Sequence, residues 1–152
     1  MLLTGTFNRV LDEKQRIAIP SHLRDALACS AGKGLYVTPG TDQSLTIYTE
    51  ESFHELGKRL GQRSPTRQDV RAFSRLFYGQ AQFVELDRQG RIRIPSELAT
   101  LAKLQKDVVL VGVQDHLEIW AAEVWQSYVS DKQAHFDEIA ESAMNDGTTR
   151  AE

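Results

Sequence analysis

Hydrophobic positions along this chain change period several times, and each change marks an element. Ile17-Ala18-Ile19 and Ile92-Arg93-Ile94 set a β-branched residue at every second position, the pattern of a half-buried strand. The segments just before them, Phe7 to Leu11 and Phe83 to Leu86, also favour strand. So do Leu35 to Thr38, Leu45 to Tyr48, Val108 to Val113 and Leu117 to Trp120. Helical spacing appears from Ser21 to about Ala31, with Leu23, Ala26 and Leu27 inward and Gly32 and Gly34 as the stop. It returns at Phe53, Leu56 and Leu60, and from Ser96 to about Leu104. Ser64-Pro65 reads as an N-cap followed by the first helical residue, with a helix running to about Tyr78. After Trp120 the pattern predicts one longer helix carrying Trp125, Tyr128, Val129, Phe136 and Ile139, then a polar frayed tail from Asn145.

The strands around Ile17 and Ile92 belong to a stretch that the chain uses twice. Leu11 to Leu23 and Leu86 to Leu98 share the letters L-D-x-x-x-R-I-x-I-P-S-x-L, eight matches in thirteen positions at an offset of 75. Each copy reads as a β-hairpin. A polar link, Asp12 to Gln15 or Asp87 to Gly90, joins two strands, and the aspartate at the turn entry accepts bonds from backbone amides ahead of it. Gly90 stands where the turn asks for positive φ; Gln15 holds that place in the first copy, so that turn is strained or different. The proline ends the strand, and Ser21 or Ser96 is predicted to cap the short helix that follows. Later strands match at an offset of 72, so each copy is β-β-α-β-β-α. The expected division is a first module over residues 1–62, a linker helix over 63–79, a second module over 80–130 and a C-terminal helix and tail over 131–152. A module of this size makes a marginal core alone, so the two are expected to bury surface against each other.

Composition narrows the chemistry. The chain has 152 residues and a single cysteine, Cys29, so it forms no internal disulfide and no cysteine metal cluster; Cys29 reads as a packed small side chain. The longest apolar run, Val108 to Val113, is too short for a bilayer, and no signal peptide is evident. A soluble cytosolic protein is expected. The net charge of −3 hides an uneven spread: six acids and only two bases lie beyond residue 130, which leaves +1 for the residues before it. Lys58 to Arg75 holds six bases and one acid. Local patches, not the total, decide electrostatic binding.

Enzymatic readings find little. His22, His54, His116 and His135 fall on different elements, none at metal-ligand spacing. Gly32-Lys33-Gly34 lacks the frame of a phosphate loop, and no nucleophile elbow is visible. Asp12 and Asp87 each have an arginine four residues on, so they read as turn braces more readily than as paired catalytic carboxylates. No cofactor or metal is expected. The repeated arginines, Arg16 and Arg91, ask for more. Packing explains the repeated Ile, Pro, Ser and Leu; it does not require arginine at the mouth of each turn. Arginine there braces the aspartate, or offers a planar fork suited to phosphate and guanine. Lys14, Arg9, Arg88 and Arg93 lie within reach of the same loops. One loop would bind DNA weakly, so specific binding would need several presented together by an oligomer. The second basic feature, Arg67, Arg71 and Arg75 on one helix face, reads as a solvated or subunit-contact face.

The doubled D-x-x-x-R followed by I-x-I-P, the opening Gly5-Thr6-Phe7 and the junction Phe77 to Ala81 resemble the MraZ family of bacterial proteins, over about the first 140 residues. More broadly, they resemble the SpoVT-AbrB fold. Gln15 departs from the family's usual turn glycine. The resemblance implies an α+β fold: two tandem modules intertwined as a swapped-hairpin barrel with pseudo-two-fold symmetry, plus a C-terminal helix. It implies a homo-oligomeric ring of about eight chains. It also implies a cytoplasmic, nucleoid-associated regulator of transcription, usually a repressor, of the division and cell-wall gene cluster. Such a protein binds direct repeats in double-stranded promoter DNA, with Arg16 and Arg91 facing the duplex. Two other classes stay open: a ring-forming scaffold or antitoxin-like protein that binds a partner through its aromatic C-terminal helix, and, much less favoured, an enzyme on a related barrel.

Overall fold

The fold is taken from a computed structural model, which describes residues 1–27 and 33–145. Cys29 and the glycine stop at Gly32 lie outside the described residues, as does the tail from 146 on. In chain order the elements are β1 (Thr6–Val10), β2 (Arg16–Ala18), α1 (Ser21–Ala26), β3 (Gly34–Pro39), β4 (Leu45–Thr49), α2 (Glu50–Gly61), α3 (Gln68–Gln80), β5 (Gln82–Glu85), β6 (Arg91–Arg93), α4 (Ser96–Leu101), β7 (Asp107–Val113), β8 (His116–Ala121), α5 (Ala122–Gln133) and α6 (Phe136–Met144). The β-β-α-β-β-α order thus occurs twice. The protein is of mixed α+β class, with antiparallel sheets and six helices among the described residues.

The strands do not pair as local hairpins around the repeated turns. β1 pairs with β7, from Thr6 opposite Val111 to Val10 opposite Asp107. β5 pairs with β3, from Gly34 opposite Glu85 to Val37 opposite Gln82. β2 and β6 leave the large sheet and pair with each other, Arg16 opposite Arg93, Ile17 opposite Ile92 and Ala18 opposite Arg91. Each predicted hairpin is therefore a closed turn with diverging arms. One bond closes its neck, from the Asp12 amide to the Arg16 carbonyl at 3.0 Å or from the Asp87 amide to the Arg91 carbonyl at 2.9 Å. The arms separate because each finds a ladder on the other module. The six-stranded sheet runs β1-β7-β8-β4-β3-β5, so its order is the same from either end once the copies are exchanged. β4 against β8 is its central seam.

This interlocking solves the small-core problem. Ile17, Ile19 and Leu23 of the first copy and Ile92, Ile94 and Leu98 of the second are all buried in one cluster with Leu35, Ile47, Leu110 and Ile119. On one face of the sheet, α2 and α3 are tied down by rings: Tyr36 stacks on Phe53 at 4.3 Å, Phe53 lies 6.0 Å from Phe77, and Tyr36 meets Phe83 edge-on at 5.3 Å. Ring pairs of this kind add to simple area burial.

Four helix boundaries differ from expectation. Ser21 and Ser96 are the first helical residues and cap nothing; Pro20 and Pro95 hold the N-cap position, with no side-chain cap. Their fixed φ prepares the helix without a hydroxyl. The linker helix begins at Gln68, not Pro65, because the Ser64 hydroxyl instead accepts the Thr66 amide, at 3.3 Å, and folds 64–67 into a turn. Arg71 then donates to the Pro65 and Thr66 carbonyls at 3.1 and 2.7 Å. The C-terminal helix is two helices, broken at Ala134-His135; no Gly or Pro stands there to explain the break. Among the described residues, those from Glu123 on form a compact unit distinct from those up to Ala122.

Candidate functional site

The two repeated turns are built alike from their aspartates outward. Asp12 Oδ1 accepts the Lys14 and Arg16 amides at 2.9 and 2.8 Å, and its Oδ2 accepts Arg16 Nε at 2.8 Å. Asp87 Oδ1 accepts the Gln89 and Arg91 amides, both at 2.9 Å, and its Oδ2 accepts Arg91 Nε at 2.9 Å. Both carboxyls are held below the usual carboxylate range. The bond from the arginine's own backbone amide is the largest cause, and the guanidinium adds to it. Bonds to an ionised acceptor are the stronger kind, so each turn is a stiff mount for its arginine.

The last turn residue is left-handed in both copies, with φ of 77° at Gly90 and 64° at Gln15. The first turn therefore has the same shape and is strained, because a Cβ in this region costs about 1–2 kcal/mol. The carbonyls of these two residues lock the modules together: the Ile19 amide donates to Gly90 at 2.9 Å and the Ile94 amide to Gln15 at 2.8 Å.

The ribbon of β2 and β6 decides which way the arginines point. Opposed residues in an antiparallel pair share a face, and neighbours along a strand alternate. Ile17 and Ile92 form the inner face and are sealed at 0% and 1% exposure. Arg16, Arg91 and Arg93 therefore share the outer face with Ala18. Arg16 stands opposite Arg93, a like-charge pair that costs stability. The turns also meet: Arg91 Nη1 lies 4.0 Å from Asp12 Oδ2 of the other copy. Arg16 and Arg91 each spend Nε on their own aspartate. Among the described residues no hydrogen bond engages their terminal nitrogens, and each side chain is 27% exposed. The outcome is a braced, partly open guanidinium fork at each turn.

The other residues singled out from the sequence divide in two. Lys14, Arg88 and Arg93 are exposed, the first two on the turns and the third on the ribbon. Arg9 lies on the large sheet and not on the ribbon. It sits on β1 opposite Val108, with Nη1 on the Asn8 carbonyl at 3.1 Å and Nε buried without a partner among the described residues. One residue of the site had no sequence signal from the shared motif. Arg24 on α1 donates Nε to the Ile19 carbonyl at 3.0 Å and lays its guanidinium on Gly90. A line-by-line comparison of the copies outside the matched letters would have exposed it, since Ala99 stands in its place.

Elsewhere, His116 Nδ1 lies 2.8 Å from Asp115 Oδ1, and its Nε2 lies 3.7 Å from Glu118 Oε2; these acids, Glu118 first, raise its pKa. Among the described residues no three metal-ligating side chains converge, and no helix is long and apolar enough to cross a membrane.

The fold and the site together define a duplicated α+β protein whose halves share one sheet and offer a single arginine-rich ribbon. A family model described as "MraZ protein, putative antitoxin-like" matches twice in succession, over residues 2–76 and 77–147. The chain belongs to the MraZ family. It is 41% identical over 93% of its length to the "Transcriptional regulator MraZ" of Lactiplantibacillus plantarum, of which it covers 97%. It is 38% identical to the protein of that name from Caldanaerobacter subterraneus and 37% to that from Finegoldia magna, covering 98% of each. These relatives are named as regulators and not as enzymes.

Proposed function

We propose that the chain is a sequence-specific regulator of transcription that grips double-stranded DNA with its β2–β6 ribbon and the two turns flanking it. The observation that carries this reading is the shared outer face of Arg16, Arg91 and Arg93. Packing gives no reason to set Arg16 opposite Arg93, whereas a phosphate backbone supplies the missing countercharge. Arg16 and Arg91, with their forks held by Asp12 and Asp87, are the residues placed to read guanine edges; Lys14, Arg88 and Arg93 are placed to meet phosphates. The matched relatives' names support the regulatory role.

The finer reading follows the family resemblance. The interlocked modules, 1–62 and 80–130 with 63–79 between them, are a swapped-hairpin barrel. Several copies assemble into a ring of about eight and present their ribbons to direct repeats in the promoter of the division and cell-wall gene cluster, which they repress. Exposed Phe73 and Leu76 on α3 favour self-association. The working place of such a protein is the cytoplasm, on the nucleoid. The test is a gel shift with the DNA upstream of the chain's own gene. The wild type shifts it, and Arg16→Ala sharply reduces the shift while size and circular dichroism stay unchanged. Equal affinity of the two proteins removes the reading. Exposed Phe136, Ile139 and Met144 on α6 favour a second reading, docking of a partner protein. A stoichiometric protein complex with no affinity for that DNA would select it.

A further inference from the structure

The pairing that puts Arg93 opposite Arg16 has an uneven counterpart at the other end of the ribbon. Arg93 belongs to the second copy but lies beside the first turn, so that turn receives an arginine from the opposite module. The equivalent residue beside the second turn is Ala18, opposite Arg91. By strand residues alone, the second turn receives none.

Arg24 fills that gap by another route. It belongs to the first copy, yet its guanidinium lies on Gly90 of the second turn. A Cβ added to Gly90 would fall 2.7 Å from Arg24 Cζ and 2.9 Å from its Nη1. Glycine at 90 therefore does two things: it takes the left-handed φ, and it leaves the seat for this side chain. The first turn has the reverse arrangement. Its left-handed residue, Gln15, has a full side chain, and the residue at the place of Arg24 is Ala99, buried at 4% exposure. The corresponding places hold Arg24 and Gly90 in one half and Ala99 and Gln15 in the other, so only one half puts a cation there. Arg24 spends Nε on the Ile19 carbonyl; among the described residues no hydrogen bond takes its other nitrogens. It is half-buried, and its guanidinium lies against Gly90, the residue that precedes Arg91 in the second turn.

We propose that Arg24 is a phosphate-contacting residue of the second turn, standing to that turn as Arg93 stands to the first. Each turn then works with one arginine of its own and one lent by the opposite module, and neither module makes a complete DNA contact alone. This rests on the ribbon being the DNA surface. Arg24 lacks the aspartate that fixes Arg16 and Arg91, so it supplies charge and orientation, not base reading.

The experiment is a salt titration of DNA binding, followed by fluorescence anisotropy on the same upstream duplex with the full chain. The slope of log K against log salt reports phosphate contacts. Arg24→Gln makes the slope shallower by about one for each second turn on the DNA, and Arg24→Lys, which keeps the charge, restores it. Arg24→Met, which keeps an unbranched side chain over Gly90 without the charge, gives a like shallower slope and still reports if Arg24→Gln folds poorly. A slope unchanged in either folded variant overturns the proposal. If Arg16→Ala abolishes binding in the same assay, the ribbon reading survives that loss. If the wild type shows no binding at any salt, both fail.

Discussion

The turn at Asp12–Arg16 and the turn at Asp87–Arg91 make the same bonds from different residues. In both, one carboxylate gathers two backbone amides and an arginine Nε. Around that fixed frame almost everything else is exchanged: Glu13 for Arg88, Lys14 for Gln89, Gln15 for Gly90. The pair of turns separates what sets the geometry, which is Asp and Arg, from what only fills or charges the surroundings. It also shows that a strained φ does not require glycine when neighbours pin the residue. Gln15 keeps its left-handed conformation because its carbonyl is tied to the Ile94 amide across the molecule.

The largest test of this equivalence is to remove each arginine in turn. Arg16→Ala and Arg91→Ala are each expected to weaken operator binding by about ten- to a hundredfold, equivalent to roughly 1–3 kcal/mol for a bidentate base contact. Thermal unfolding should show both variants folded. If one loss is large and the other negligible, the two turns are structural twins only, and DNA uses one of them.

A smaller effect separates the left-handed positions. Gly90→Ala places a Cβ in a left-handed residue and pushes against Arg24, so it is expected to lower stability by about 1–2 kcal/mol in urea unfolding. Gln15→Gly relieves the same strain, but glycine's greater freedom in the unfolded chain offsets it; the change is expected to lie within about 0.5 kcal/mol of zero. Equal and large losses in both would mean that the Gln15 side chain holds its turn together.

The frame of these turns was legible in the sequence because it is written twice in the same letters, and D-x-x-x-R has a direct backbone consequence. The strand and helix order was legible for the same reason, since alternation at Ile17 and Ile92 and helical spacing at Phe53 and Phe73 are local signals. Strand partners were not. Nothing within Phe7 to Leu11 tells it to pair with Val108 to Val111 and not with its neighbour across the turn; burial across the whole molecule decides that. The Ser21 and Ser96 caps misled because proline before them already sets the helix start. Arg24 against Ala99 was readable as a difference between the copies, but its contact was not, because it exists only when the other copy's Gly90 arrives beneath it. Motifs reveal what a segment does to itself, whereas contacts lent between modules need the fold.

The finest distinction between the turns is electrostatic. Both aspartates have folded-state pKa values below the ordinary 3.8, so each contributes stability that is present above that pH and lost as pH falls through its lowered value. Asp12 also has Arg91 of the opposite turn at 4.0 Å, while Asp87 has no second guanidinium within ion-pair distance among the described residues. A second cation stabilises the charged form further. Carbon-detected NMR titration of the side-chain carboxyls should therefore place both midpoints below 3.8, with Asp12 the lower. Arg91→Ala should raise the midpoints of both, Asp87 more, since it loses its own partner, whereas Arg16→Ala should move Asp12 and leave Asp87 in place. Midpoints that ignore the distant arginine would mean that the turns are braced independently and that the contact between them carries no energy.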